Sequence, residues 1–353
     1  MRPRLTPAIA DVRRAVRGAL AAVDGGPSRG GSATATSTIA ATDVASLPAS
    51  APLALVALSG GADSLALAAG AAFEGPRAGW RIGAIVVDHG LQEDSARQAE
   101  RAASQARELG LAPVLVERVS VAPGDPAGPE AAARNARYQA FDRALEASGA
   151  EFVLVAHTLD DQAETVLLGL ARGSGAASLQ GMALVTGRVL RPLLGIRRAT
   201  TRQSCLDLGL TPWDDPHNLD PSYARVRVRQ RILPVLEEEL GPGVAEALAR
   251  TAEQLREDAS ALDAMADEVA EDLAEHAEAG ISLPVAALEA NPPALRHRLI
   301  RLVVSAEFGR SLTRQQTLEV ARLVTDWHGQ GPIDLPGCTA SRVDGRIVFS
   351  ARG

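Results

Sequence analysis

The sequence predicts an α/β protein with a doubly wound parallel sheet, followed by a smaller and mainly helical domain. In the first half of the chain, four short apolar segments alternate with longer segments of helical spacing. Such uninterrupted apolar strands are typical of parallel sheets that helices cover on both faces. In the second half the alternation ends and helical spacing dominates, so we expect a different architecture there.

The predicted elements of the first half follow one another in a regular order. Residues 6–23 have helical spacing, and residues 24–51, which are rich in Gly, Ser, Thr and Ala, predict a flexible insert. Predicted strands then cover residues 53–58, 82–88, 114–119 and 152–156. Predicted helices follow them at residues 64–73, 93–109, 130–148 and 160–172. Such sheets bind ligands beyond the carboxyl ends of their strands, where we expect the site.

The second half is predicted to contain mostly helices. Helical segments cover residues 196–209, 225–240, 243–278 and parts of 284–328. A turn-rich loop spans residues 211–222, and an Asp-Gly turn at 344–345 predicts a C-terminal hairpin. The predicted domains are an N-terminal helix at 1–23, the insert at 24–51, an α/β domain at 52–234 and the mainly helical domain at 235–353.

The composition of the 353-residue chain excludes several classes of protein. All 36 basic residues are arginines, and the absence of lysine excludes a Walker A loop, Schiff-base chemistry and nucleotide transfer through a lysine. Cys205 and Cys338 are too far apart in sequence for a CxxC metal site. No apolar run approaches the roughly 20 residues of a membrane span. Arginines interrupt residues 1–23, so we predict no signal peptide and expect a cytoplasmic protein that contacts no membrane.

A glycine-rich turn after the first predicted strand is the first candidate site. Paired glycines let the backbone approach a ligand closely, and the helix that follows offers unpaired amides to an anion. Asp63 is a candidate magnesium ligand in this turn. The turn consists of Ser59, Gly60, Gly61, Ala62, Asp63 and Ser64. Two glycines alone are also compatible with a simple strand–helix turn, but the SGGADS pattern between a buried strand and a helix favours phosphate binding.

A second candidate site follows the fourth predicted strand. His157, Asp161 and Glu164 recur at i, i+4 and i+7, so they share one face of the predicted helix. Two carboxylates and an imidazole at the mouth of the sheet are suited to bind magnesium or to orient an amine. The alternative is that Asp160 and Asp161 only cap the helix, which leaves His157 and Glu164 unexplained.

Further polar residues surround the same edge of the predicted sheet. Asp88 and His89 end the second strand, Arg134 lies on the helix before the fourth strand, and Arg172 ends the next helix. The net charge is −7, but residues 188–231 contain nine arginines against four acidic residues. Guanidinium groups suit phosphate oxygens, although a solvated charged face is the alternative for each one. The last arginines of this basic segment are Arg225, Arg227, Arg229 and Arg231.

Six motifs together resemble one known family. SGGADS resembles the PP-loop of the N-type ATP pyrophosphatases, which cleave ATP to AMP and pyrophosphate. Five more motifs occur in the order found in the short form of tRNA(Ile)-lysidine synthases, and the resemblance is close over about residues 52–240. These motifs are VDHGLQEDS, EAAARNARY, AHTLDDQAETVLLGLARGSGAASLQGM, RPLLGIRR and PWDDPHNLDPSYARVRVRQRILPVL.

The resemblance implies a fold, a reaction and its substrates. The α/β domain at 52–234 is then a PP-loop catalytic domain, and the helical domain at 235–353 binds tRNA. Enzymes of this family are ligases that use ATP and Mg²⁺ to adenylate C2 of the wobble cytidine in a CAU-anticodon tRNA(Ile). Free L-lysine then displaces AMP, and the product switches the tRNA from methionine to isoleucine identity.

The resemblance also implies roles for the candidate residues. Asp161 and Glu164 would receive lysine beside His157, Asp63 would hold magnesium, and Arg134 would neutralise charge on the activated intermediate. The ATP site would consist of Ser59, Gly60, Gly61, Ala62, Asp63, Ser64, Val86, His89 and Arg172. The tRNA backbone would contact Arg225, Arg227, Arg229 and Arg231.

The chain departs from the family pattern at a few places, and alternatives stay open. Gln92 stands where relatives often have arginine, Val226 stands where they have asparagine, and the insert at 24–51 has no clear counterpart. Another PP-loop tRNA-modifying or amidating ligase is one alternative, and a non-catalytic nucleotide-binding module is another. The sequence leaves the oligomeric state open, including a homodimer.

Overall fold

A six-stranded sheet is the centre of the first part of the chain. The computed structural model describes residues 5–24, 47–90, 94–120, 129–173, 175–277 and 280–352. The strands are β1 (Leu53–Ala57), β2 (Arg81–Asp88), β3 (Val114–Arg118), β4 (Phe152–Leu154), β5 (Val185–Thr186) and β6 (Val189–Leu190). Their order is β3-β2-β1-β4-β6-β5, and only β5 and β6 pair antiparallel. The predicted parallel sheet is therefore confirmed, whereas β5 and β6, of two residues each, are too short to show a periodic pattern.

Helices cover both faces of this sheet, as a doubly wound fold requires. Alternate residues of β1 point to opposite faces: Leu55 packs with Phe141 and Leu145, and Val56 packs with Leu65 on the other side. The first helices are α1 (Pro7–Asp24), α2 (Ala62–Glu74), α3 (Ser95–Glu108), α4 (Pro129–Ser148), α5 (Leu159–Arg172) and α6 (Ala176–Leu179). The predicted insert at 24–51 lies largely outside the described residues, and Gln92 lies outside them as well.

A run of short helices and then one long helix follow the sheet. These elements are α7 (Arg198–Asp207), α8 (Ala224–Arg227), a π-helical turn (Val228–Ile232), α9 (Leu233–Glu239) and α10 (Val244–Leu273). Short 3₁₀ turns occupy Pro76–Ala78 and Pro216–Leu219. Val228 is buried against α5, so the π-helical turn is packed onto the helix that starts at the sheet edge.

The chain forms two compact units, one up to Glu253 and one from Gln254 onward. The sequence pattern predicts a domain boundary near residue 235. In the structure, Ala245 is buried in one cluster with Leu159 and Ala163 of α5. The start of α10 therefore belongs to the core of the first unit, and that unit extends beyond the predicted boundary.

The second unit combines helices with a five-stranded antiparallel sheet. Its further elements are β7 (Glu275–Ala277), β8 (Gly280–Pro284), α11 (Val285–Ala290), α12 (Pro293–Phe308), α13 (Arg314–Thr325), β9 (Ile333–Leu335), β10 (Cys338–Val343) and β11 (Arg346–Ala351). The sheet order is β7-β8-β11-β10-β9. Asp344 and Gly345 have φ angles of 47° and 74° and close the predicted hairpin between β10 and β11. Among the described helices, none combines the length and apolarity needed to cross a membrane.

Candidate functional site

A cavity of about 550 Å³ opens at the carboxyl ends of β1, β2 and β4. Its walls come from the loop before α2, the ends of the strands, one face of α4, the start of α5, α7 and the π-helical turn. Predicted site residues that line it are Ser59, Gly61, Ala62, Asp63, Ser64, Val86, His89, Arg134, His157, Asp161 and Arg229. The fold thus brings together residues from five separate sequence motifs.

The loop between β1 and α2 has the shape of an anion cradle. The hydroxyl of Ser64 accepts a hydrogen bond from the backbone amide of Ser59 at 3.2 Å and donates one to the carbonyl of Gly61 at 2.9 Å. Gly60 adopts a φ of +83°, which an L side chain rarely tolerates. Gly61 then caps α2, whose first-turn amides have no partner within the helix and are free to bind an anion.

Asp63 projects from the first turn of α2 into the cavity. One carboxylate oxygen accepts a hydrogen bond from the hydroxyl of Thr201, and the other lies 3.6 Å from Nε of Arg198. Burial raises the pKa of Asp63. The described residues contain no group of three or more side chains of the usual metal ligands. Magnesium that is held mainly by phosphate oxygens needs only one or two carboxylates, so Asp63 fits that role.

A cluster of guanidinium and carboxylate groups lies beside Asp63. Nη2 of Arg198 is 2.9 Å from Asp161 and 3.2 Å from Glu164. Nε and Nη2 of Arg229 donate to the two oxygens of Glu164 at 2.8 and 3.1 Å, and Nε of Arg225 is 3.5 Å from Glu164. Arg198 is absent from the predicted site residues; the available signal was the arginine pair at the start of the helix predicted at 196–209.

Asp161 both caps α5 and takes part in this cluster. Its Oδ2 accepts hydrogen bonds of 2.8 Å from the amide and the hydroxyl of Thr158, while Oδ1 faces Arg198. Although burial opposes the shift, Arg198 and the Thr158 amide lower the pKa of Asp161. Asp161 caps α5 as the alternative interpretation predicts, and its place in the cavity wall is compatible with the site interpretation.

Two histidines in the cavity wall are neutral at pH 7. Burial lowers the pKa of His157 and of His89 to about 4 in each case. Nε2 of His89 accepts a hydrogen bond from Nε of Arg137 at 3.3 Å. Nδ1 of each ring is buried and has no hydrogen-bond partner among the described residues. Both residues line the cavity, so the cavity wall contains two neutral imidazoles.

Several predicted site residues lie elsewhere. Glu164 is completely buried behind Arg198 and Arg229 and does not line the cavity. Arg172 is exposed at the end of α5, away from the cavity lining. Arg227 is exposed and donates to the carbonyls of Pro221 and Ser222 at 2.7 and 2.6 Å.

The predicted tRNA-binding arginines divide into two groups. Arg225 and Arg229 are one helical turn apart and both point inward to Glu164. Arg227 and Arg231 are exposed on the other side of the same segment. Two other positions within the sequence motifs are buried. Gly60 belongs to the predicted ATP-binding loop, and Val226 stands where relatives have asparagine.

Comparison with known proteins agrees with the fold. A family model described as a PP-loop domain matches residues 36–236, and one described as the TilS substrate binding domain matches residues 283–348. A U34-tRNA thiolase, NcsA from Methanococcus maripaludis with its [4Fe-4S] cluster, shares the fold with a TM-score of 0.53 and 19% identity. That alignment covers 71% of this chain and 80% of the thiolase.

Curated relatives are much more similar. A tRNA(Ile)-lysidine synthase of Leifsonia xyli is 67% identical over 298 residues, which cover 84% of this chain and 89% of the relative. A second, from Thermobifida fusca, is 52% identical over 302 residues, which cover 85% of this chain and 92% of the relative. The chain belongs to the tRNA(Ile)-lysidine synthase family.

Proposed function

We propose that the protein is an ATP-dependent ligase that joins free L-lysine to the wobble cytidine of a CAU-anticodon tRNA(Ile). The observation that carries this proposal is the cavity, where an anion-binding loop faces a guanidinium–carboxylate cluster. The name of the curated relatives, tRNA(Ile)-lysidine synthase, supports tRNA(Ile) and lysine as the substrates.

The first step is adenylation of the cytidine. The amides at the start of α2 and the serine hydroxyls of its loop bind the phosphates of ATP. Asp63 would hold magnesium, which would neutralise part of the phosphate charge. Arg134 lines the same cavity and provides a further positive charge for the activated intermediate.

The second step is attack by the lysine amine, and Asp161, Glu164 and His157 form the proposed lysine site. An ordinary lysine ammonium has a pKa of about 10.4. Proton transfer from it to His157, whose pKa is about 4, is uphill by roughly 6 pKa units, or about 9 kcal/mol. His157 therefore orients the amine as a neutral group, and the proton leaves to solvent before attack.

The tRNA is proposed to bind across exposed basic residues. Arg227 and Arg231 are exposed beside the cavity and suit phosphodiester contacts. The second unit, which matches a substrate binding domain, is proposed to bind tRNA as well. The wobble base of a single-stranded loop is more easily unstacked than a base in a duplex, which suits entry into the cavity. We place the reaction in the cytoplasm.

The experiment is incorporation of radiolabelled lysine into a CAU-anticodon tRNA(Ile) transcript, with tRNA(Met) as the control. We expect lysine to enter only tRNA(Ile), with release of AMP and pyrophosphate. Adenylation without lysine transfer would refute the lysine site but retain ATP-dependent activation of tRNA. No reaction with either tRNA would favour a non-catalytic nucleotide-binding module. Light scattering of the same sample distinguishes a monomer from a homodimer.

A further inference from the structure

We infer that Arg198 couples the two small substrates: it occupies the amine subsite in the free enzyme and leaves it for the phosphates of ATP, so that ATP binding opens the lysine site. This inference rests on the proposed function. Arg198 is then a positioning residue. Its side chain determines that ATP binds before lysine.

The carboxylates proposed to receive lysine are already saturated. A carboxylate offers about four lone-pair sites. Glu164 contacts nitrogen atoms of Arg198, Arg225 and Arg229, with four contacts between 2.8 and 3.5 Å. Its side chain has 0% exposure. An ammonium group therefore reaches Glu164 only by displacing one of these guanidinium groups.

Arg198 is the guanidinium that is easiest to displace. Arg229 holds Glu164 through two hydrogen bonds, and Arg225 is also fixed by a 3.0 Å hydrogen bond to the hydroxyl of Thr165. Arg198 instead donates to both Asp161 and Glu164 through one nitrogen atom, Nη2. Its backbone is fixed at the first residue of α7, and its side chain lines the cavity.

The charges of the cluster require an exchange. Arg198, Arg225 and Arg229 balance Asp63, Asp161 and Glu164, which are three carboxylates in contact with them. An ammonium added to this balanced and mostly buried cluster would leave an uncompensated charge, which is costly in a poorly solvated site. Replacement of one cation by another preserves the balance, and polyphosphate in the same cavity provides the departing guanidinium with a new partner.

Arg198 already lies close to the loop that is proposed to bind the phosphates of ATP. Nε of Arg198 lies 3.6 Å from Asp63, in the first turn of the helix whose amides form the anion cradle. The guanidinium of Arg198 thus borders the loop proposed to bind the phosphates, and a rotation of its long side chain would bring it from the carboxylates to a bound phosphate. Since the same group contributes to both sites, the effect is reciprocal: lysine must also favour ATP binding.

The test is calorimetric titration of lysine into the enzyme, with and without a non-hydrolysable ATP analogue. For the wild type, we expect the analogue to tighten lysine binding by about 10-fold or more, the usual range for coupled sites. For Arg198→Gln, we expect tighter lysine binding than wild type in the absence of nucleotide, and a coupling factor near one. A residue that merely supports the fold would weaken lysine binding instead.

Two controls keep the test decisive. Arg198→Lys keeps a cation in place and should retain part of the coupling, and Arg107→Gln, at an exposed position on α3, should keep all of it. The inference is overturned if the wild type does not bind lysine, or if it binds lysine equally well with and without the ATP analogue. It is also overturned if a folded Arg198→Gln variant binds lysine more weakly than the wild type. If the wild type still transfers lysine to tRNA, only the inference fails; loss of that transfer instead contradicts the proposed function.

Discussion

Arg229 binds Glu164 through two parallel hydrogen bonds, 2.8 Å from Nε and 3.1 Å from Nη2. This pair joins the π-helical turn to α5, and its carboxylate has no exposure to solvent. Local π-helical turns occur frequently at functional sites, since they change the direction of one side chain without ending the helix. Here the turn follows Arg225, so that two arginines of one segment reach the same buried carboxylate.

Replacement of Glu164 by glutamine should destabilise the protein strongly. The substitution leaves three guanidinium groups facing a neutral amide in a poorly solvated site. Breaking a buried ion pair from one side costs about 3–5 kcal/mol of unfolding free energy. Urea denaturation measures the loss, with Glu146→Gln on the exposed face of α4 as the matched control. Equal stability of the two variants would mean that the cluster adds no net stability.

The kcat/KM for lysine should rise about tenfold per pH unit between about pH 7 and pH 9. The unprotonated fraction of an amine with a pKa of about 10.4 rises by that factor. Burial lowers the pKa of His157 to about 4, so its protonation state does not change in this range. Steady-state rates across this interval test the slope. A plateau that begins between about pH 6 and pH 7 would instead identify a histidine of ordinary pKa as the base.

Asp63→Asn should abolish ATP–pyrophosphate exchange. The amide can still accept the hydrogen bond of the Thr201 hydroxyl, so the loop is expected to fold, but a neutral amide binds magnesium poorly. We expect a decrease of roughly 100-fold or more in exchange rate. Asp142→Asn, on the exposed side of α4, serves as the control. Full exchange activity of Asp63→Asn would remove Asp63 from the proposed magnesium site.

Glu237→Gln should destabilise the start of α10. Its carboxylate accepts hydrogen bonds of 2.6, 3.2 and 3.1 Å from the amides of Gly243, Val244 and Ala245. The Ala245 amide is the largest of the influences that lower the pKa of Glu237 to about 2. Loss of a helix cap of this kind costs about 1–2 kcal/mol.

The pH dependence of that contribution has a definite sign. Because the folded-state pKa of Glu237 lies below its ordinary value, the stabilisation is fully present above about pH 4.5 and decreases as the pH falls toward about 2. Thermal melts of Glu237→Gln and of the exposed Glu238→Gln at both ends of this range provide the comparison. A destabilisation of Glu237→Gln that is the same at both ends would contradict the assignment.

Two glycine substitutions should have opposite effects on stability. Gly18 lies inside α1, and a methyl group added there would have nothing within 4 Å, so Gly18→Ala should stabilise the protein by about 1 kcal/mol. At Gly169 in α5 the same methyl would lie 2.3 Å from the carbonyl oxygen of Ser178. Gly169→Ala should therefore lower the melting temperature, and equal melting temperatures for the two variants would show that this close approach is easily relieved.

The periodic parts of the fold were predictable from the sequence. Buried parallel strands need apolar side chains on both faces, so β1, β2 and β4 stand out as apolar runs between helices. β3 is an edge strand and only partly buried, but it begins with the apolar residues Val114, Leu115 and Val116. The second sheet was predicted only as the hairpin around Asp344 and Gly345, because its other strands are short or only partly apolar. The extension of the first unit to Glu253 depends on packing of α10 against α5, which no local pattern encodes.

Local sequence was enough to identify the family, because short motifs are local properties. The predicted shared helix face is only partly present: His157 precedes α5, Asp161 lines the cavity, and Glu164 is buried outside the cavity lining. Which arginines meet those carboxylates depended on tertiary packing. Arg198 is 34 residues from Glu164 in the chain, and their contact depends on how the chain returns along the sheet edge. Arg172 belongs to the same helix as Glu164, yet it points to solvent. Distance along the chain says little about distance in space once packing places separate elements side by side.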